Sequence, residues 1–149
     1  MRAVIQRVKS ANVKVNDKII GEIDKGFLVL LGIEKSDTNK DTEYIIKKTI
    51  NLRVFEDEEN KMNKSLKDIN GEILLVSQFT LLGDMKKGNR PSFAKAMPHC
   101  EAKGFFEGVV DAFKAVYPKI KTGEFAAMMD VALINDGPVT ILIDSKKTF

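Results

Sequence analysis

The chain has 149 residues, 44% of them hydrophobic and 30% charged, with a formal net charge of +3. That is enough for one domain with a substantial core, residues 1–149, and not for two. No apolar run reaches the roughly 20 residues that a membrane helix needs, and the mildly basic balance permits a polyanionic partner without requiring one.

The opening stretch MRAVIQRVKS lacks the apolar core of about 7–15 residues that marks a signal peptide. With only one cysteine, Cys100, no internal disulfide can form. Both features point to the cytoplasm. The one histidine, His99, stands next to that cysteine. The pair supplies too few ligands for a zinc-type centre, and no metal-binding spacing occurs elsewhere, so no metal is expected. Both residues read as structural.

The first third is strand-like. RAVIQRV (2–8) leads into ANVKVND (11–17) and KIIGEI (18–23), with a hairpin predicted at Asn16-Asp17. GFLVLLGI (26–33) is continuously apolar, as in a strand buried on both faces. A helix follows within 36–55, capped by Ser36, Asp37 or Thr38. Its apolar stripe comprises Tyr44, Ile45, Thr49, Ile50 and Leu52, with Lys47 and Lys48 facing water.

Residues 56–70 read as a charged, turn-rich connection, 71–82 (GEILLVSQFTLL) as a strand and 82–97 as a loop punctuated by Gly83, Gly88 and Pro91. A second helix begins at His99. Ala102, Phe105, Phe106, Val109, Val110, Phe113, Val116 and Tyr117 give its buried face, and Pro118 ends it. Residues 122–145 are strand-like, broken by Gly137-Pro138. Strands and helices mix without strict alternation, which predicts the α+β class on a mixed sheet.

Two motifs invite a chemical reading. In VSQFTL (76–81), Ser77, Gln78 and Thr80 lie at the end of an apolar strand that feeds a loop, where scaffolds present reactive groups. The plainer reading is that they only finish the strand. In INDGPVT (134–140), proline has a fixed φ and no N–H, so carbonyls near it are left free to face another group. The plainer reading there is a turn.

SQFTL followed by N-x-GPVT, in this order, closely resembles the D-aminoacyl-tRNA deacylases, also called D-tyrosyl-tRNA deacylases. The resemblance spans the chain: MRAVIQRV and its hairpin, the loop GDMKKGNRPSF, and ILIDS at the end. It implies a barrel-like mixed sheet with two main helices, in an intimate homodimer whose active site lies at the interface. It implies a hydrolase that cleaves the ester of D-aminoacyl-tRNA, and of mischarged glycyl-tRNA, releasing free amino acid and tRNA. That activity is chiral proofreading in translation quality control, with the tRNA 3′ end as partner and no cofactor.

By the same resemblance, Gly137 and Pro138, joined by a cis bond, enter the partner subunit's pocket as the selectivity element, supported by Arg7 and Asn135. Ser77, Gln78, Phe79 and Thr80 form the catalytic stretch. Phe125 and Met129 line a pocket for the terminal adenosine, or else are core residues of a strand. Lys86, Lys87 and Arg90 meet tRNA phosphates, or else belong to an ordinary solvated loop. The terminal ribose 2′-hydroxyl assists the reaction.

The physics is compatible with that assignment. D and L esters carry identical groups, so only fixed directions or a rigid wall can separate them. An aminoacyl ester is already activated. Its site must hold the carbonyl, stabilise an oxyanion and help deprotonate water. Backbone N–H groups at Phe79 and Thr80 are candidate oxyanion donors. Thr80 is disfavoured as a nucleophile because no base adjoins it in sequence. Two other classes stay open on residues alone: a non-catalytic RNA-binding module, and a small-molecule esterase or amidase using Thr80 or Ser77.

Overall fold

The computed structural model describes all 149 residues. Eight strands and two helices run in the order β1 (Arg2–Val15), β2 (Lys18–Ile23), β3 (Gly26–Gly32), α1 (Asn39–Ile50), β4 (Phe55–Glu56), β5 (Met62–Lys64), β6 (Glu72–Ser77), α2 (His99–Val116), β7 (Ile120–Thr122) and β8 (Asp130–Asp144). A four-residue 3-10 turn, Phe79–Leu82, follows β6. Neither helix is long and apolar enough to cross a membrane.

The main sheet is ordered β2-β1-β3-β6-β7, with β8 on the other edge of β1. β1 runs antiparallel to β2, β3 and β8, while β3, β6 and β7 are mutually parallel. Asn16 and Asp17, at φ 49° and 62°, make the predicted hairpin turn. Positive φ at both central residues matches the right-handed twist of the strands they join. The sheet curls until β2 approaches β7. A Cβ added to Gly21 would lie 2.7 Å from the Thr122 carbonyl oxygen, so only glycine permits that near-closure.

Residues alternate between two apolar clusters along β3 and β6. Phe27, Val29, Leu31, Ile73 and Leu75 pack with Ile45, Ile50, Phe106, Val109 and Phe113 under the helices. Leu28, Leu74 and Val76 join Val8, Ala11, Val13 and Ile23 in the sheet's concavity. This double burial is why the 26–33 run shows no polar alternation. Each fully buried large apolar side chain contributes about 1.5–3 kcal/mol relative to exposure.

Thr38 caps α1 through a reciprocal box with Asp41. Lys47 and Lys48 are exposed, and the buried face also includes Ile46. In α2 the expected stripe is present except for Val116, which is 52% exposed. It is the last helical residue and lies past the core-facing turn. Residues 56–70 are not a plain connection: β4 and β5 form a small hairpin around Asn60, at φ 60°. The strand expected over 71–82 stops at Ser77, and the chain tightens into the 3-10 turn. The final strand starts only at Asp130, with Glu124–Met129 looping ahead of it.

A polar network ties the start of the chain to its end. The Met1 ammonium donates to Asp37 Oδ1 at 2.6 Å and to Ser145 Oγ at 2.9 Å. Ser145 Oγ donates to Asp41 Oδ1 at 2.7 Å, and Lys146 Nζ lies 2.8 Å from that same oxygen. Burial pushes the Asp41 carboxyl up, but hydrogen bonds from Lys146, Ser145 and Thr38 outweigh it and hold the group well below its ordinary 3.8. A carboxyl depressed in the folded state stabilises the fold above its unfolded value, and that contribution disappears as pH falls through the folded value. Asp41→Asn is expected to cost about 1–3 kcal/mol at neutral pH, the loss of a charged acceptor. Denaturant titrations across pH should show a flatter acid limb below about pH 4 for the variant than for the wild type.

Candidate active site

The parallel strands β3, β6 and β7 end on the same side of the sheet, and ligands in such sheets bind beyond the carboxyl ends of the strands. Three chain segments meet there. Ser77 ends β6 opposite Leu31 of β3. The Gln78 N–H donates to the Leu31 carbonyl at 2.7 Å, which fixes the entry to the 3-10 turn. Gly123 N–H donates to the Leu75 carbonyl at 3.1 Å, bringing the Glu124–Met129 loop alongside.

Within the 3-10 turn the first ladder bond is Leu81 N–H to Gln78 carbonyl. The N–H groups of Phe79 and Thr80 stand ahead of that bond, so the turn gives them no internal acceptor. They form two adjacent donors at its exposed mouth. Ser77 and Gln78 are half-buried, whereas Phe79 and Thr80 are exposed. Gln78 Nε2 donates to the Thr80 hydroxyl oxygen. That is the one side-chain hydrogen bond of the Thr80 hydroxyl, and it places no base against it.

Phe93 meets Phe79 edge-on at 5.0 Å between ring centroids. It anchors the loop whose two arms are joined by reciprocal Asp84–Ser92 backbone bonds, both 2.8 Å. Lys86, Lys87 and Arg90 are exposed at the tip of that loop. On the other flank, Phe125 is half-buried against Phe106 at 5.9 Å and His99 at 5.5 Å. Met129 packs partly against the cluster of Val8, Leu28, Leu74 and Val76. Neither is a strand residue, since both lie in the loop before β8. His99 and Cys100 are exposed, and His99 borders this flank. No group of three or more His, Cys, Asp or Glu side chains is assembled to hold a metal ion.

The second motif lies elsewhere in the same chain. β8 pairs with β1 with two irregularities, a one-residue shift between Val8 and Ser10 and a larger excursion where Gln6 faces Thr140 and Val8 faces Asn135. Asp136, Gly137, Pro138 and Val139 therefore bulge out opposite the single residue Arg7. Gly137 and Pro138 are exposed, their peptide bond is cis, and Gly137 has φ +129°.

Arg7 is only 4% exposed. Its Nε donates to the Asp136 carbonyl at 2.9 Å and lies 3.5 Å from the Asp136 carboxylate. Its Nη1 donates to the Val54 carbonyl and to Glu56 Oε1, the latter at 3.0 Å. The Asn135 Oδ1 is buried without a hydrogen-bond partner.

Arg7 faces Phe27 on β3, and Ser77 faces Leu31 on the same strand. That is four residues along the sheet (27 to 31), with β1 and β3 lying between β8 and β6. At about 3.3 Å per residue and 4.8 Å per strand, the Gly-Pro excursion is roughly 15–20 Å from Ser77 within one chain. The structure thus gathers Ser77, Gln78, Phe79, Thr80, the basic loop and the Phe125 flank. It holds Arg7, Asn135, Gly137 and Pro138 apart from them. Phe93, Asp136 and Glu56 are site neighbours that the sequence reading missed. Only the aromatic character of Phe93, two residues after Pro91, offered a signal.

A family model described as D-Tyr-tRNA(Tyr) deacylase matches residues 4–144. The chain is 57% identical to a D-aminoacyl-tRNA deacylase from Thermosipho africanus and 56% identical to one from Clostridium novyi, each alignment covering both chains completely. Among solved structures, a chain titled c-Myc DNA Unwinding Element Binding Protein superposes with TM-score 0.92 and 47% identity. That alignment covers 97% of this chain and 98% of the other. A probable eukaryotic D-amino acid tRNA deacylase shares the fold at TM-score 0.82 and 15% identity, covering 95% and 97%.

Gly137 is required by its backbone. A Cβ there would sit 2.8 Å from Val139 Cγ2 and 3.2 Å from Arg7 Nη2, at a φ that L-residues rarely adopt. Gly137→Ala is expected to destabilise the fold by about 1–3 kcal/mol, read as a lower midpoint in denaturant with unchanged slope.

Proposed function

The chain belongs to the D-Tyr-tRNA(Tyr) deacylase family, and from that premise we propose that residues 1–149 act as one deacylase domain. Water cleaves the ester between a D-amino acid, or glycine, and the 3′ end of tRNA, releasing free amino acid and tRNA. The observation that carries the catalytic half is the pair of unpaired N–H donors at Phe79 and Thr80, at the carboxyl ends of three parallel strands. As water adds to the ester carbonyl, negative charge grows on its oxygen, and two preorganised amides stabilise that charge. The oxygen–carbon ester bond then breaks and the tRNA hydroxyl leaves. Ser77 and Gln78 position the substrate, with Gln78 also holding Thr80.

The protein brings no imidazole against Thr80. The 2′-hydroxyl of the terminal adenosine, vicinal to the ester, is suited to relay the proton from water, which makes the RNA part of the catalyst. Phe125 and Met129, half-buried on one side and open on the other, suit contact with the adenine face. Lys86, Lys87 and Arg90, on a loop fastened to Phe79 through Phe93, suit sequence-independent phosphate contacts.

Handedness is read by the Gly137–Pro138 carbonyls. The roughly 15–20 Å separation from Ser77 within one chain favours delivery from a second copy. β8 supports the same reading. It is a 15-residue strand paired on one edge only, with Ile134 and Leu142 58% and 60% exposed. A long free edge with apolar side chains normally has a partner. A homodimer pairing near β8 would cover it and bring each excursion to the other pocket. Main chain as a wall is indifferent to which D-side chain arrives, and it admits glycine, which has none.

Catalytic amounts of protein should release D-tyrosine from D-tyrosyl-tRNA and spare L-tyrosyl-tRNA. Replacing the terminal 2′-hydroxyl by hydrogen should lower the rate by about 10²-fold or more; full activity on that analogue rules out RNA assistance. Thr80→Ala should stay within about tenfold of wild type in kcat. Loss of a true nucleophile would cost about 10⁴-fold or more, so a collapse of that size at unchanged binding would restore Thr80 to that role.

A further inference from the structure

We infer that Glu56, on the β4–β5 hairpin, is a positioning residue for the Gly137–Pro138 filter, acting through the guanidinium of Arg7. The inference rests on the deacylase reading above and deepens it. The family resemblance implies that Arg7, in VIQRV, holds the filter. They leave open what holds Arg7.

A guanidinium is a rigid plane with five N–H donors in fixed directions. On the filter side, Arg7 Nε donates to the carbonyl of Asp136, the residue before Gly137. On the other side, Nη1 donates to both the Val54 carbonyl and Glu56 Oε1. The Asp136 and Val54 carbonyls hold two points of the plane and leave it free to tilt about the line that joins them. A second acceptor from the same hairpin removes that freedom, and the direction of Nε–H then follows. The carbonyl of Asp136 is aimed by that N–H, and Gly137 is chained to it.

The hairpin is built stiffly enough to serve as the brace. Phe55 is fully buried, stacked on Phe27 at 5.1 Å, with the Arg7 guanidinium carbon 5.9 Å over its ring. Arg53 closes the base of the hairpin, Nε donating to the Asn63 carbonyl at 2.7 Å and Nη2 to Asn63 Oδ1 at 3.1 Å. The Asp57 carboxylate ties its turn, accepting from the Glu59 and Lys61 N–H groups at 2.9 Å each and from Asn63 Nδ2 at 2.6 Å. The Glu56 carboxyl is held below its ordinary value by its own backbone N–H and by Arg7, so it faces the guanidinium as a carboxylate.

A merely stabilising ion pair makes a different prediction. The Glu56 side chain is 42% exposed, and a half-exposed pair adds little to stability. Fold stability and filter geometry therefore separate in the Glu56 variants.

The test compares wild type, Glu56→Ala and Glu56→Gln in two measurements. Backbone ¹⁵N relaxation at Gly137 and Val139 reports loop order, and kcat/KM on D- and L-tyrosyl-tRNA reports selectivity. Glu56→Ala should loosen both amides and lower the D-over-L ratio by about tenfold, while Tm stays within about 3 °C. Glu56→Gln, which keeps an oxygen acceptor in place, should restore order and ratio to near wild type. Unchanged relaxation in Glu56→Ala overturns the brace. Loosened amides with an unchanged ratio overturn its link to selectivity. A wild-type enzyme without preference for the D substrate overturns the filter reading itself, and the relaxation data tell that failure apart from a missing brace.

Discussion

Strand β1 has two edges of backbone donors and acceptors to satisfy over fourteen residues, and the sheet is arranged around that requirement. One edge is shared by β3 along its first half and β2 along its second, and β8 covers the other edge almost throughout. Because β1 turns directly into β2, the sheet must curl, and glycine at position 21 lets the curl close against Thr122. The ladder between β1 and β8 opens most widely between Gln6 and Val8. There a buried side chain replaces the missing strand contacts: Arg7 takes the Asp136 carbonyl, and four residues of β8 are pushed outward.

On the proposed reading, the two ends of the reaction problem fall to different parts of the fold. The carboxyl ends of β3, β6 and β7 present hydroxyl, amide and backbone N–H groups, suited to a substrate that is already activated. The excursion in β8 presents carbonyls on a stretch whose only conformational latitude is removed by proline and by a held neighbour. In the proposed dimer, neither part is sufficient alone. Selectivity would then be a property of the assembly, and the free edge of β8 is the surface the proposal assigns to the pairing.

The polar network linking Met1, Asp37, Asp41, Ser145 and Lys146 has a related logic. It fixes the start of β1 and the end of β8 to the first turn of α1. The register of these two strands determines which residues are left out as the excursion, and a slip of one residue would turn every side chain of β8 to the other face. An ionic clamp at one end of the pair fixes that register.

Much of this was legible in the chain. The hairpin at Asn16-Asp17, the doubly buried strand over 26–33, both helices and the two motifs follow from turn chemistry, periodicity and a family resemblance. These are local signals, set by a residue's own backbone preferences and its neighbours a few positions away. The 3-10 turn was hidden because Phe79, Leu81 and Leu82 continue the apolar look of β6, and only the end of strand pairing at Ser77 reveals the change. Strands β4 and β5, of two and three residues, are too short for any period to show. Val116 fits the helical stripe, yet the core ends before it. What tertiary structure alone decided is which distant groups share one guanidinium. Arg7 bonds residues 47, 49 and 129 positions away, and no local pattern can encode that meeting, because it is created only when the sheet, the hairpin and the excursion pack together.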